Sequence, residues 1–136
     1  MTERKIVTIG DPVLRERARD VNSDELRSSE IQRLIDDLIE AKRAAHGAGI
    51  VPGMRGVVNR SVSIRIRYLD RDGNEHDEVK RGLTAGTFQH EVDHLDGTLF
   101  VDRADPRTLM SWEHFERLHR DEFVARMTEL VERVGS

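Results

Sequence analysis

The sequence predicts an α+β domain, on three observations. Apolar residues recur at three and four towards both ends of the chain, they alternate at two in the middle, and Gly and Asp-Gly signals separate the segments. At 136 residues the chain suffices for a single domain spanning 1–136, with a modest core and no staples.

Asp11 caps and Pro12 opens a short helix running towards Ala18. Ser23 or Asp24 caps an amphipathic helix with the stripe Ile31, Leu34, Ile35, Leu38 and Ile39, and Gly47 ends it. From Val57 the period becomes two. Val62, Ile64, Ile66 and Tyr68 alternate with Ser61, Ser63, Arg65 and Arg67, which marks a strand buried on one face. Arg71-Asp72-Gly73-Asn74 is a turn, and a polar strand through Val79 returns as a hairpin. Leu83 to about Leu95 reads as a helix stopped by Gly97, with a short strand at Leu99-Phe100-Val101. After Pro106 a long charged helix carries Trp112, Phe115, Leu118, Phe123, Met127, Leu130, Val131 and Val134. Its apolar side docks on the domain; a partner-binding helix is the alternative.

Composition narrows the function classes. Hydrophobic residues make up 37% and charged residues 35%, polar for a globular domain but short of disorder. The net charge is −4 and the 22 basic residues are interspersed with acidic ones, which argues against a dedicated nucleic-acid surface. The absence of cysteine excludes a disulfide framework and suits a reducing cytoplasm. The opening apolar run is too short for a signal peptide, and no segment approaches a membrane span. A soluble cytoplasmic protein is the expectation.

Gln89-His90-Glu91-Val92-Asp93-His94 carries the chemistry. Residues four apart on a helix share a face, so His90 and His94 can offer two imidazole nitrogens to one metal. Glu91, one residue round, is placed to take a proton from an attacking water and pass it to a leaving amine. Catalytic centres of this kind use a third protein ligand. In a metzincin protease it would come after a glycine that trails the second histidine; Gly97 fits that spacing, but Phe100 occupies the ligand position and cannot bind metal. A thermolysin-like site drawing on Glu113, His114 or Glu116 stays open as an alternative.

The wider context resembles one family. Gln89 to Gly97 with Leu99-Phe100-Val101-Asp102 after it is similar to the third signature of peptide deformylases. Gly10-Asp11-Pro12-Val13-Leu14-Arg15 resembles their N-terminal segment, Ile35-Asp36-Asp37-Leu38 their first long helix, and His46-Gly47-Ala48-Gly49-Ile50 the start of their first signature. Val51-Pro52-Gly53 through Arg60, then Tyr68 to Gly73, resembles the segment beyond their second signature, Glu-Gly-Cys-Leu-Ser. The resemblance implies a deformylase-like fold, with mixed or antiparallel strands around a central His-Glu-x-x-His helix and a C-terminal helix. It implies removal of the formyl group from the initiator methionine of nascent polypeptides, possible at the ribosome, with Fe²⁺ as the metal or Zn²⁺, Ni²⁺ or Co²⁺ in its place. By position, His90 and His94 would be ligands and Glu91 the general acid/base. Arg60 would contact the substrate backbone, Gly49 would lie beside the substrate, and Leu83, Gly86 and Thr87 would line the methionine pocket.

The chain also departs from the family. It passes from Gly49-Ile50 directly to Val51-Pro52, where the family carries the rest of its first signature and all of its second. The family's third ligand is the cysteine of that stretch, and its oxyanion donors are a glutamine side chain and a leucine amide there. Losing one such donor costs about 10²–10³ in rate. His46 or His76 is the substitute ligand to look for. Three readings result: a deformylase-type metallohydrolase, a deformylase-fold remnant without turnover, or another zincin. The lost strands should also leave a sheet edge unpaired.

Overall fold

A computed structural model describes residues 4–45 and 49–136. The N-terminal segment makes one 3₁₀ turn, Pro12–Arg15, in which the Asp11 side chain accepts from the Val13 amide at 3.0 Å. The helix stops there rather than at Ala18: Glu16 is extended, and the segment turns to cover the end of a later helix.

Where the spacing predicts one helix from Ser23 or Asp24, the chain makes two. Asn22 caps α1 (Ser23–Leu26), accepting from the amides of Asp24 and Glu25 while Glu25 accepts from the Asn22 amide. Ser28 then starts α2 (Ser29–Ala44) by accepting from the Ile31 amide at 3.2 Å. A second capping side chain offers the backbone an alternative to continuing, and the chain takes it. Gly47, the expected stop, lies outside the described residues. On α2 the stripe is only partly covered: Ile31, Leu34 and Ile35 are half-buried, whereas Leu38 and Ile39 are 55% and 41% exposed.

After a two-residue strand, β1 (Met54–Arg55), comes the expected hairpin of β2 (Ser63–Leu69) and β3 (Glu75–Arg81), antiparallel with Ser63 opposite Arg81 and Leu69 opposite Glu75. Ile64, Ile66 and Tyr68 are half-buried between exposed neighbours, as the alternation requires, but Val62, expected on the same face, precedes the strand and is 49% exposed. The turn is closed by Asp70, whose carboxylate accepts from the amides of Asp72 and Asn74, with Gly73 at φ +84°. Gln32 and Arg71 tie this turn to α2: the Gln32 amide donates to the Arg71 carbonyl at 2.8 Å and accepts from the Arg71 guanidinium.

Helix α3 (Gly82–Leu95) leaves the hairpin directly. Phe88 turns it onto the ribbon, 6.3 Å from the Tyr68 ring. Leu99-Phe100-Val101 is not a strand. Leu99 is buried and precedes a helical turn, α4 (Phe100–Arg103), because the Asp102 carboxylate accepts from the Leu99 amide at 2.8 Å. Then β4 (Met110–Ser111) pairs antiparallel with β1, and the long C-terminal helix begins at Trp112 rather than just after Pro106. It runs as α5 (Trp112–His114), a π turn over Phe115–His119, and α6 (Arg120–Val134). The Arg55 guanidinium sits 3.8 Å from the Phe115 ring centre and 5.1 Å from those of Trp112 and Phe123, fastening this helix to β1.

The fold is α+β with the His-Glu-x-x-His helix at its centre, and it is sparsely covered. Among the described residues the buried apolar side chains are Ala85, Leu99, Ala104 and Phe115. The accessible surface is 10384 Å², against roughly 7,300 Å² for a compact protein of 15.6 kDa. The described strands form two-stranded sheets only, so β2 and β3 each have an open edge, as the missing strands require.

Gly97, at φ +74°, shows where packing is tight: a Cβ there would lie 2.5 Å from the Arg15 carbonyl oxygen. Gly53, at φ +72°, has open space around it. Gly97→Ala should therefore lower stability by about 2 kcal/mol or more, and Gly53→Ala by only the ~1 kcal/mol backbone cost. Denaturant midpoints of the two variants check this; equal losses would mean the N-terminal segment does not press on α3.

Candidate functional site

Helix α3 presents two adjacent stripes at four-residue spacing. Gly86, His90 and His94 form one; Leu83, Thr87, Glu91 and Leu95 form the other. The His90 and His94 Nε2 atoms are 3.0 Å apart, with the rings edge to face. Two nitrogens on a tetrahedral metal with bonds of about 2.05 Å stand about 3.3 Å apart, so the pair is arranged as a chelate. Burial, then the neighbouring His94, holds His90 below the ordinary histidine range. The His94 Nδ1 atom is buried with no hydrogen-bond partner among the described residues.

The residues around the pair do not complete a metal site. Among the described residues no three His, Cys, Asp or Glu side chains converge. His76, a candidate substitute, is spent elsewhere: its Nε2 is 2.9 Å from the Asp70 carboxylate and its ring stacks on Tyr68 at 4.9 Å. His114 bonds the Ser111 hydroxyl at 2.8 Å, and neither it nor Glu113 or Glu116 joins the pair. That removes the geometric basis for the thermolysin-like alternative. His46 lies outside the described residues. Two nitrogens fit a divalent metal, but two fall short of the three protein ligands a catalytic centre uses.

The other site residues fall into two groups. Leu83, Gly86 and Thr87 lie one to two turns before the pair on the same exposed side of α3; Leu83 is 44% exposed, and a Cβ at Gly86 would meet nothing within 4 Å, which leaves open space beside His90. Gly49 is exposed on the segment leading to the Ile50-Val51 junction, where the Ile9 amide donates to the Ile50 carbonyl at 2.8 Å. Arg60 is held by a carboxylate of the same fold. Its Nη1 donates to Asp93 Oδ2 at 2.5 Å on the buried side of α3, and its side chain is 17% exposed.

That ion pair is part of a network that residue-by-residue reading missed. Asp93 is 7% exposed and also accepts twice from Arg103, at 2.8 Å each. Beside it, the Gln89 side chain accepts from the Ser61 amide and donates to the Ser61 carbonyl, as a neighbouring strand would. The available signal was chemical: an aspartate on the inward face of a helix must find a cation.

Burial opposes ionisation of Asp93, but the hydrogen bonds from Arg103 and Arg60 outweigh it and hold its carboxyl below the usual range. A depressed carboxyl stabilises fully above its unfolded value of about 3.9, and the contribution is lost as pH falls through the lower folded value. Asp93→Ala should thus cost about 2–3 kcal/mol at pH 7. In strong acid the variant and the parent should converge. Urea unfolding at pH 7 and below pH 3 tests this; a gap that persists in acid would mean packing, not charge, holds the residue.

Comparison with known proteins bears on the family and the fold. The sequence model of the polypeptide deformylase family ("Polypeptide deformylase") matches residues 3–51 and 50–109, in two pieces that meet at Ile50-Val51. A peptide deformylase of Xylella fastidiosa (strain M12) is 32% identical over 147 residues, covering 74% of this chain and 86% of that protein. One from Leptospira biflexa is 29% identical over 167 residues, covering 82% of this chain and 93% of the relative. That aligned stretch is longer than the whole 136-residue chain, so the relative carries a segment this chain lacks. The crystal structure of peptide deformylase from Thermotoga maritima shares the fold at a TM-score of 0.64 and 24% identity, over 78% of this chain and all of that one.

Proposed function

The chain belongs to the peptide deformylase family, a family of metal-dependent hydrolases, and we propose that it acts on N-formylmethionyl peptides with His90, Glu91 and His94 as its reacting centre. The observation that carries this is the convergence of the two histidine Nε2 atoms, 3.0 Å apart, with Glu91 beside them on an exposed face. In this reading Glu91 takes the proton of the attacking water and delivers it to the amine as the formyl C–N bond breaks. Leu83, Gly86 and Thr87 form one wall for the methionine side chain, with the gap above Gly86 giving it room beside His90. Gly49 flanks the peptide. Arg60, held in place by its bond to Asp93, contacts the backbone of the peptide in this reading.

One specific observation favours a second reading, a deformylase scaffold without turnover. Beside His90 and His94 no third ligating side chain converges among the described residues, and the chain has no cysteine to serve as the thiolate that the resemblance implies. The two nitrogens these residues offer fall short of a catalytic site for Fe²⁺ or any other such metal. Nascent peptides at the ribosome are the substrate class in the first reading; in the second, peptide ends bind without reaction. No helix among the described residues is long and apolar enough to cross a membrane.

Metal content of protein purified without oxygen, read beside hydrolysis of a formyl-methionyl peptide, separates the two. Turnover with near one metal per chain upholds the enzyme, and Glu91→Gln should then reduce it at least ~10²-fold while sparing the metal. Unchanged turnover in that variant would remove Glu91 from its role. No turnover with no retained metal selects the scaffold.

A further inference from the structure

We infer that the free edge of β2 is a docking site for an extended peptide strand of another protein, one that carries carboxylates at every second residue. The hairpin register shows which backbone groups are on offer. The Gly82 amide donates to the Val62 carbonyl at 2.8 Å, and the Asp70 amide to the Asn74 carbonyl at 3.0 Å, so Val62 and Asp70 bond across the ribbon. Antiparallel pairs alternate between bonded and unbonded. With Ser63 opposite Arg81 and Leu69 opposite Glu75, the N–H and C=O groups of Ser63, Arg65, Arg67 and Leu69 therefore point away from β3. Among the described residues no other strand pairs with that edge, and no hydrogen bond from outside the hairpin reaches those groups. Just before the strand, the N–H and carbonyl of Ser61 are both taken by the Gln89 side chain, at 3.0 and 2.8 Å, which closes the edge at that end. An added strand would make the ladder of hydrogen bonds that the edge leaves to water.

Side chains along the edge select the partner. Ser63, Arg65, Arg67 and Leu69 share one exposed face, with no acidic residue among them. Asp77, across the ribbon, holds Arg65 through two bonds of 2.8 and 2.7 Å, yet the Arg65 side chain is still 73% exposed. Arg67 lies directly opposite Asp77 and acts on it through charge alone. Two guanidinium groups thus share one carboxylate, and the face keeps a net positive charge. An incoming strand with a carboxylate beside each arginine would balance it, because opposite charges on adjacent strands attract. On the other face Ile64, Ile66 and Tyr68 are only half-buried, and apolar residues between the carboxylates would extend that row. The same arginines work against self-pairing: two β2 edges joined antiparallel about Ile66 would set Arg65 against Arg67 on both sides.

The test uses the full chain and a labelled probe peptide of alternating valine and glutamate, matched to the 7 residues of β2 and blocked at both ends. Fluorescence anisotropy should show saturable binding that weakens as salt rises. Lysine in place of the probe's glutamates should abolish binding, and Arg67→Glu should weaken it about tenfold with circular dichroism unchanged. Methylating alternate amides of the probe leaves the protein untouched. Methyl groups along one edge of the probe should abolish binding, and along the other edge they should be tolerated. With the probe bound, amide exchange at Arg65 and Arg67 should slow at least ~10-fold. Binding indifferent to methylation, protection at Glu75 and Asp77 instead, or no binding at all would overturn the strand addition. Equal binding of the lysine probe would overturn the selection by charge. Self-association that occupies the edge and excludes the probe would assign it to a second copy and overturn the foreign partner. None of these readouts involves formyl hydrolysis, so each outcome leaves the proposed activity as it stands.

Discussion

A single buried carboxylate sets the geometry of this molecule. Asp93 lies on the inward face of α3, and a charge there is tolerable only while Arg60 and Arg103 stay on it. Around a helix each residue turns by about 100°, so fixing Asp93 inward fixes His90 and His94 towards the surface beside it. Apolar contacts contribute little to this: of the α3 residues, only Gly82, Ala85 and Asp93 are buried. The orientation of the candidate centre is therefore an electrostatic decision more than a hydrophobic one.

Elsewhere, local polar devices stand in for the core the chain lacks. Asn22, Ser28, Asp70 and Asp102 each bind backbone amides at a turn or helix start, and Gln32 with Arg71 joins α2 to the hairpin. Each such contact is worth about 1 kcal/mol, and they define shape more than they resist unfolding. The same deficit explains the exposed Leu38 and Ile39 on α2 and the open ribbon edges.

Features legible in the sequence had a strict period or a single chemical meaning. The hairpin declared itself because β2 alternates without a fault, and the histidine pair because four residues make one turn and a little more. That the chain has no cysteine, and so no thiolate of the kind the resemblance implies, was readable before any geometry. The break at Ser28 was not legible, because three nearby residues can all cap a helix and only packing chooses among them. Leu99-Phe100-Val101 was ambiguous for the reason short apolar runs are: burial alone suits a strand or a helical turn, and the deciding bond comes from Asp102. The ion pair of Arg60 joins residues 33 apart in sequence, beyond any local pattern.

The π turn over Phe115–His119 bears on how the C-terminal helix reaches its place. In an unbroken α-helix, Phe115 and Phe123 would stand about 80° apart in phase, too far round to meet one guanidinium. One additional residue in the turn absorbs about 100° of that, which brings the two rings to 5.6 Å and lets both face Arg55. The helix is thus a two-register rod, one register reading β1 and the other reading α3. Excising one residue between Glu116 and His119 would restore a uniform helix and swing Met127, Leu130 and Val134 a quarter-turn away from their seat. In this protein the length of one turn, not its composition, keeps the two ends of the scaffold in step.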